Sequence, residues 1–340
     1  MQTQSNLFEP LICIKRIEET LDSATFEFKK ADDTLFEYQA GQFLTFEVDV
    51  AGELQYRAYS LSSTPSQPQS VAVTIKRVPG GKVSNYLLDN LQSGIALPAM
   101  APAGEFTLQD NPTTPELLLM SAGSGITPCM SIARWLLDTK QQVNIHFIYS
   151  ARSEADIIMA DTLKALDAQY DNFRLTRILE TTDNSDDLHG RLDLDMFEKL
   201  VPERHGRTIF ICGPAPYMQA VELVAKQSGF DMALFHKESF VPAANDDQIS
   251  AESVLSYQAV APQYGKNFTV AENQSLLEAL EAAGVPVIGA CRSGICGSCK
   301  CKVTGEVKST SQATLTAEQI AQGYVLSCST KAYSDLVVEL

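Results

Sequence analysis

Cys291-Arg-Ser-Gly-Ile-Cys296-Gly-Ser-Cys299 brings three thiols into one short loop, and a fourth follows as Cys328 within Leu326-Ser-Cys-Ser329. A C-x4-C-x2-C run with a remote fourth cysteine is the ligand spacing of a plant-type [2Fe–2S] centre. Two irons need four thiolates; one tight loop can supply three, and the fourth must arrive from elsewhere. Gly294 and Gly297 let the backbone curl round such a centre and aim amide N–H groups at its sulfurs. Zinc is the rival reading, but zinc folds usually present paired C-x2-C knuckles, and the second arm here offers one cysteine. Cys301 competes with Cys299, because residues two apart on an extended chain share a face. Spacing favours Cys291, Cys296, Cys299 and Cys328 as ligands, and Cys301 reads as structural.

The other three cysteines, Cys13, Cys129 and Cys212, are scattered. A secreted disulfide scaffold would be short, cysteine-dense and preceded by a signal sequence. This chain has 340 residues, enough for two or three domains, and 45% of them are apolar, so it buries real cores. Its 26 basic and 42 acidic side chains leave a net charge of −16. No Lys/Arg stripe offers the grip that nucleic acid requires. Met1–Lys15 lacks a basic segment followed by an apolar one, so it does not read as a signal peptide. The longest uncharged run, Leu117–Ala133, is broken by Ser121, Gly123, Ser124, Gly125, Thr127 and Pro128. A membrane span needs about 20 mostly apolar residues. The expectation is a soluble, cytoplasmic protein.

Residues 1–111 read as all-β. Ile12–Ile17, Phe43–Val48 and Val71–Ile75 are β-branched or aromatic runs between polar turns, and only Val83–Leu91 suggests a helix. Short strands of this kind argue for a small antiparallel barrel. From Glu116 the rhythm changes to strands at Leu117–Met120, Val143–Tyr149, Leu175–Leu179 and Thr208–Cys212. Helices over about Thr127–Leu137, Asp161–Leu166 and from Tyr217 alternate with them, so residues 112–239 read as a doubly wound α/β domain with a parallel sheet. Residues 240–252, containing Pro242-Ala-Ala-Asn-Asp-Asp247, read as a linker. Residues 253–340 complete a compact α+β unit: strand-like Leu255–Val260, a helix at Leu276–Leu280, the cysteine loop and a last strand at Leu336–Glu339.

Arg57-Ala-Tyr-Ser60, following a predicted strand, offers a cation for phosphate, an aromatic face for a planar ring and a hydroxyl. A buried Tyr beside a surface Arg is the commoner explanation of such a tetrapeptide. Gly80-Gly-Lys-Val-Ser84, opening the one helix of that domain, shifts the balance, because glycines there let amides approach a phosphate. In the second domain Ser121-Ala-Gly-Ser-Gly-Ile-Thr-Pro128 sits at a strand-to-helix turn, with Pro128 expected at the first helical position. A glycine pair alone is weak evidence for a pyrophosphate site. Cys212-Gly-Pro214 ends a later strand, where ligands bind such sheets; its bland reading is an inert buried side chain.

Taken together, Arg57–Ser60, Gly81–Ser84, Gly123–Pro128, Cys212–Pro214 and Glu238-Ser-Phe240 resemble the ferredoxin–NADP reductase superfamily, with a plant-type ferredoxin fused at the C-terminus. The resemblance covers nearly the whole chain and implies a flavin β-barrel, a nucleotide α/β domain and a β-grasp ferredoxin domain. It implies FAD, with Arg57, Gly81, Val83 and Ser84 at its pyrophosphate, Tyr59 on its ring and Ser60 near N5. It also implies NADH or NADPH, cradled by Gly123, Gly125 and Thr127, with Cys212, Gly213, Pro214 and Glu238 beside the nicotinamide. Ser60, Cys212 and Glu238 are the implied catalytic residues. Phe240 departs from plant reductases, which end at their aromatic ring shield, whereas this chain continues. Within the superfamily, Cys212-Gly-Pro-Ala-Pro-Tyr-Met218 and Gly323-Tyr-Val-Leu-Ser-Cys328 are most similar to reductases of the hybrid cluster protein, which act under nitrosative stress. Reductases of aromatic-ring oxygenases share the architecture, and a redox sensor that merely retains the folds is the non-enzymatic alternative.

The implied reaction leaves the chemistry to cofactors. A dinucleotide gives up two electrons together, an iron–sulfur centre takes one at a time, and the flavin between them splits the pair. Leu175-Thr-Arg-Ile-Leu-Glu180 ends in a carboxylate that can accept from ribose hydroxyls and repels a 2′-phosphate, so NADH is expected. Arg177 could bind phosphate, but strand alternation would point it away from Glu180. From Ser253 onward there are six Lys/Arg and seven Asp/Glu. This nearly neutral domain is expected to dock its acceptor with weak salt dependence.

Overall fold

The computed structural model describes residues 8–203, 205–240, 255–272, 274–292, 294, 296–312 and 314–340. The expected linker therefore falls largely outside the described residues. The chain divides into two compact units: residues 1–55 with 59–240, and residues 241–340 with 56–58.

The first part of the first unit is a six-stranded sheet. It contains β1 (Glu9–Thr20), β2 (Ser23–Lys30), β3 (Phe43–Val50), β4 (Glu53–Ser60), β5 (Val71–Lys76) and, after helix α1 (Lys82–Asn90), β6 (Ala96–Ala99). The spatial order is β4-β3-β6-β1-β2-β5, and an antiparallel bridge between Leu61 and Val73 joins the two edges into a barrel. Closure removes the exposed strand edges. Phe26, Phe28, Phe46, Val73 and Ile75 fill the interior, and Leu87 and Leu88 from α1 cover it. The Arg57–Ser60 segment, expected to follow a strand, is the second half of β4 itself.

The second part is a six-stranded, wholly parallel sheet. Its elements are β7 (Glu116–Ala122), α2 (Ile126–Asp138), β8 (Asn144–Ala151), α3 (Ala160–Gln169), β9 (Phe173–Leu179), β10 (Leu188–His189), α4 (Leu194–Leu200), β11 (Arg207–Cys212), α5 (Ala215–Gln227) and β12 (Phe235–Glu238). The order is β10-β9-β8-β7-β11-β12. Alternate strand residues serve opposite layers. Leu117, Leu119, Phe147 and Phe210 pack under α2 and α3; Leu118, Met120, Ile148 and Ile211 pack under α4 and α5. Burial on both faces explains the unbroken apolar strands. The chain leaves β7 toward β8 and later returns to its other side at β11, which makes a topological switch point at the carboxyl ends of β7 and β11.

Helix α2 sews this sheet to the barrel. Ser131 Oγ donates to the Ser63 carbonyl at 2.6 Å and Arg134 Nη1 to the Ser62 carbonyl at 2.8 Å. Both carbonyls follow directly on β4, so that strand's end is held against the switch point.

The second unit contains β13 (Ser256–Ala261), β14 (Lys266–Ala271), α6 (Leu276–Ala282), β15 (Lys300–Thr304), β16 (Val307–Ser309), α7 (Ala317–Ala321), β17 (Tyr324–Leu326), β18 (Thr330–Ala332) and β19 (Leu336–Glu339). A mixed sheet, β14-β13-β19-β15-β17, packs Ala259, Val303, Val325 and Val338 against Leu276 and Leu280 of α6. Ser275 and Glu278 form a capping box that sets where α6 starts. No helix among the described residues is long and apolar enough to cross a membrane.

Candidate functional site

Ser60 ends β4 and Glu238 ends β12, 178 residues later, yet Ser60 Oγ donates to Glu238 Oε2 at 3.0 Å. Glu238 lies in register with Cys212 on β11, and Cys212 with Ser121 on β7. The expected catalytic residues Ser60, Cys212 and Glu238 thus gather at the switch point. Burial pushes the Glu238 carboxyl up to about 7, against the lowering effect of the Ser60 bond. The Cys212 thiol is pushed far up as well, by burial first and then by the Glu238 carboxyl, so it remains a neutral thiol and no nucleophile. Ser121 Oγ is buried in the same row without a partner. An orphaned hydroxyl at the carboxyl edge suits a polar ligand there.

The Gly123–Pro128 turn, expected to hold the dinucleotide, is built by contacts that spacing could not reveal. Gly123 holds φ +54° with open space on its Cβ side, whereas a Cβ on Gly125 would lie 2.2 Å from the Cys212 carbonyl oxygen. Gly125 is therefore a packing glycine that lets the Gly123–Pro128 and Cys212–Pro214 motifs touch. A Cβ on Gly213 would in turn lie 2.9 Å from the Tyr217 ring. Gly125→Ala is expected to lower stability by about 3 kcal/mol, as overpacking against backbone does, read as a fall in thermal midpoint; an unchanged midpoint would contradict this packing. Thr127, expected to cradle the ligand, is buried and donates to the Ser124 carbonyl at 3.0 Å, so it shapes the turn from behind. Pro128 is the third residue of α2 rather than the first, because a 3-10 turn at Gly123–Gly125 runs straight into the helix. Pro214 precedes the first residue of α5.

In the barrel, Tyr59 is half-buried with its ring 6.2 Å from that of Phe46. Arg57 is exposed, its Nη1 donating to the Tyr56 carbonyl at 2.7 Å. Gly81 precedes α1, whose first amides lack a side-chain cap. Orphan donors of this kind are suited to an anion. Val83 cannot offer its side chain, which is 2% exposed and packs into the barrel core; only its amide faces outward chemistry. Ser84 Oγ accepts from the Val78 amide at 3.2 Å and fixes the Gly80–Gly81 turn.

Glu180 follows β9 and accepts from Arg191 through both oxygens, at 3.0 and 3.2 Å. Arg177 is not available to a phosphate: it is nearly buried and its Nε lies 2.6 Å from Asp187 Oδ1.

In the second unit the four expected ligands converge. Cys299 Sγ lies 3.2 Å from Cys328 Sγ; the Cys328 thiol also meets Cys291, which meets Cys296. The Gly294 amide donates to Cys328 Sγ at 3.1 Å and the Cys296 amide to Cys291 Sγ at 3.4 Å. Gly294 and Gly297 have φ of +77° and +76°. Arg292 anchors the loop to α6 through Glu281 at 2.6 Å. No group of three or more donors is set for a metal ion among the described residues; the fit to a two-iron cluster rests on four thiols in mutual contact and amides aimed at them. Cys301 turns away into the core, opposite Val325 in register, because Cys299 lies before β15 and the two do not share a strand face.

Comparison with known proteins finds three domain families along the chain. Residues 10–108 match an oxidoreductase FAD-binding domain, 119–223 an oxidoreductase NAD-binding domain and 260–333 a 2Fe-2S iron–sulfur cluster binding domain. The glycine betaine monooxygenase reductase subunit of Pseudomonas aeruginosa is 38% identical over 99% of this chain and 97% of its own length. The NADH oxidoreductase HCR of Escherichia coli is 36% identical over 89% of each chain. Phthalate dioxygenase reductase superposes with a TM-score of 0.65 over 99% of both chains at 24% identity, a likeness of fold.

Proposed function

This chain belongs to the ferredoxin-reductase-type oxidoreductases that join FAD-binding, NAD-binding and 2Fe-2S domains, and from that premise we propose that it is the NADH-dependent reductase of an oxygenase. Residues 1–111 would serve FAD, 112–239 NADH and 253–340 the cluster, with 240–252 between them. One observation carries the reading: a Ser60–Glu238 pair, its serine buried and its carboxyl half-buried, lies at the switch point of a chain that also holds four converging thiols. That combination is needed where a hydride donor must serve an acceptor that takes electrons singly.

When bound, FAD would supply acceptance of one hydride, with its two electrons, and their release one at a time, and a [2Fe–2S] cluster would carry single electrons. The residues supply position and protons. Arg57 and the amides of Gly81 to Ser84 would hold the flavin pyrophosphate, and Tyr59 would lie on the ring. The Gly123 turn, Gly125 and Thr127 behind it, and the Gly213–Pro214 edge would hold the dinucleotide. Ser60 Oγ, the nearer group to the ring, donates to Glu238 Oε2 and can hand its proton to that carboxylate as it takes up another from the ring side. Cys212 would lie beside the nicotinamide as a neutral thiol. Cys291, Cys296, Cys299 and Cys328 would ligate the cluster.

NADH is favoured because Glu180 presents a carboxylate where a 2′-phosphate would sit. Its pairing with Arg191 is exposed and weak, so ribose hydroxyls can replace it. Glu180→Ser is expected to lower the NADH/NADPH ratio of kcat/KM about tenfold, by removing repulsion and freeing Arg191. An unchanged ratio would place the discrimination elsewhere.

Similarity to a monooxygenase reductase subunit over nearly the whole chain supports an oxygenase component as acceptor. Similarity to HCR supports the hybrid cluster protein as a second reading. Anaerobic NADH oxidation, with a betaine-type oxygenase component and oxidised hybrid cluster protein offered separately, tests both. Faster reduction of the oxygenase component is expected; faster reduction of the hybrid cluster protein reverses the choice, and no NADH oxidation overturns the reading.

A further inference from the structure

Tyr149 is fully buried on β8, yet its hydroxyl makes two specific bonds. Tyr149 Oη donates to the Gly123 carbonyl at 3.1 Å and accepts from the Ile158 amide at 3.3 Å. The next amide, that of Met159, donates to Glu19 Oε2 on β1 at 2.9 Å. Glu19 Oε1 accepts from Thr25 on β2 at 2.7 Å, and Thr25 meets Thr74 on β5, also at 2.7 Å. Met159 holds φ +57°, a left-handed conformation that a side chain adopts only under constraint.

We propose that Tyr149 and Glu19 are positioning residues for hydride transfer, forming one hydrogen-bonded line from the dinucleotide turn to the barrel that carries the flavin. The inference rests on the functional reading above and adds to it the device that sets the distance between its two binding sites. Tyr149 fixes the carbonyl of Gly123, the turn residue that faces open space. Glu19 fixes the start of α3 against the barrel. The α2 contacts of Ser131 and Arg134 join the same two parts near the switch point. Two joints on different helices prevent the rotation that either joint alone would allow. Burial pushes the Tyr149 phenol up, so its proton stays available to the Gly123 carbonyl.

The test uses the full chain with FAD and cluster bound. Flavin bleaching by NADH is followed by rapid mixing for wild type, Tyr149→Phe, Glu19→Gln and the double variant. Flavin content and thermal midpoint are measured alongside. Tyr149→Phe is expected to raise the half-saturating NADH concentration about tenfold while the limiting rate stays within about threefold. Glu19→Gln, which keeps the shape but only one acceptor oxygen, is expected to lower the limiting rate about fivefold. In the double variant the ratio of limiting rate to half-saturating NADH concentration should fall by less than the product of the two single falls, as for members of one network. Lowered midpoints with wild-type NADH kinetics would make both residues merely structural and overturn the proposal, as would fully multiplicative effects. A wild-type chain that NADH fails to bleach would instead overturn the functional reading, and the inference with it.

Discussion

Cys328→Ser is expected to lose the visible absorption of a [2Fe–2S] centre and to pass electrons to a protein acceptor at least about a hundredfold more slowly. Cys328 is the proposed ligand that the cysteine loop cannot supply for itself. Its sulfur meets Cys291 and Cys299 and takes the Gly294 amide, so its loss opens one side of the centre. Cys301→Ser provides the contrast. Cys301 is 1% exposed and packs in the sheet core, so a serine there buries an unpaired hydroxyl. The expected result is about 1–3 kcal/mol of lost stability with the cluster absorption retained. Iron and sulfide analysis of the two variants decides the matter: a full cluster in Cys328→Ser, or none in Cys301→Ser, would reassign the fourth ligand.

The second large effect is expected at Glu238. With its carboxyl pushed up to about 7 by burial, wild-type kcat should show an inflection near that pH. Glu238→Gln keeps a polar partner for Ser60 but holds no transferable proton. Turnover with NADH and a one-electron dye should fall about a hundredfold, and the inflection should vanish. The same shift has a consequence for stability. The folded chain keeps this proton over a range where the unfolded chain has lost it, so the group's contribution is greatest below the ordinary carboxylate pKa. That contribution declines as pH rises from there through about 7. Glu238→Gln should flatten that decline. A pH profile identical in the variant would remove Glu238 from the proton path.

The strand and helix pattern was largely legible because it is a property of neighbouring residues. Leu117–Met120 is apolar without alternation and becomes a strand buried on both faces. Val83–Leu91 is close to the observed α1, Lys82–Asn90. Sites built from a few consecutive residues were legible for the same reason, since C-x4-C-x2-C limits where three sulfurs can go. Individual roles were less so. Val83 lies within a phosphate-binding pattern, yet helical periodicity turns its side chain into the core. Thr127 lies in a nucleotide turn, yet its hydroxyl is used on Ser124. Tyr149 gave no signal at all, because a tyrosine closing an apolar strand looks like any other core residue.

From the sequence came the three-part organisation, the iron–sulfur spacing of the cysteines and, through the family resemblance, the cofactor classes, because periodicity and short spacing act through bonds and nearest neighbours. Only the tertiary structure decided which distant residues share a site. Ser60 reaches Glu238 because a closed barrel and a parallel sheet end at the same place. Gly125 must lack a side chain because another strand's Cys212 carbonyl occupies that space. Such requirements come from register and packing between elements far apart in the chain, and no local pattern of residues carries them.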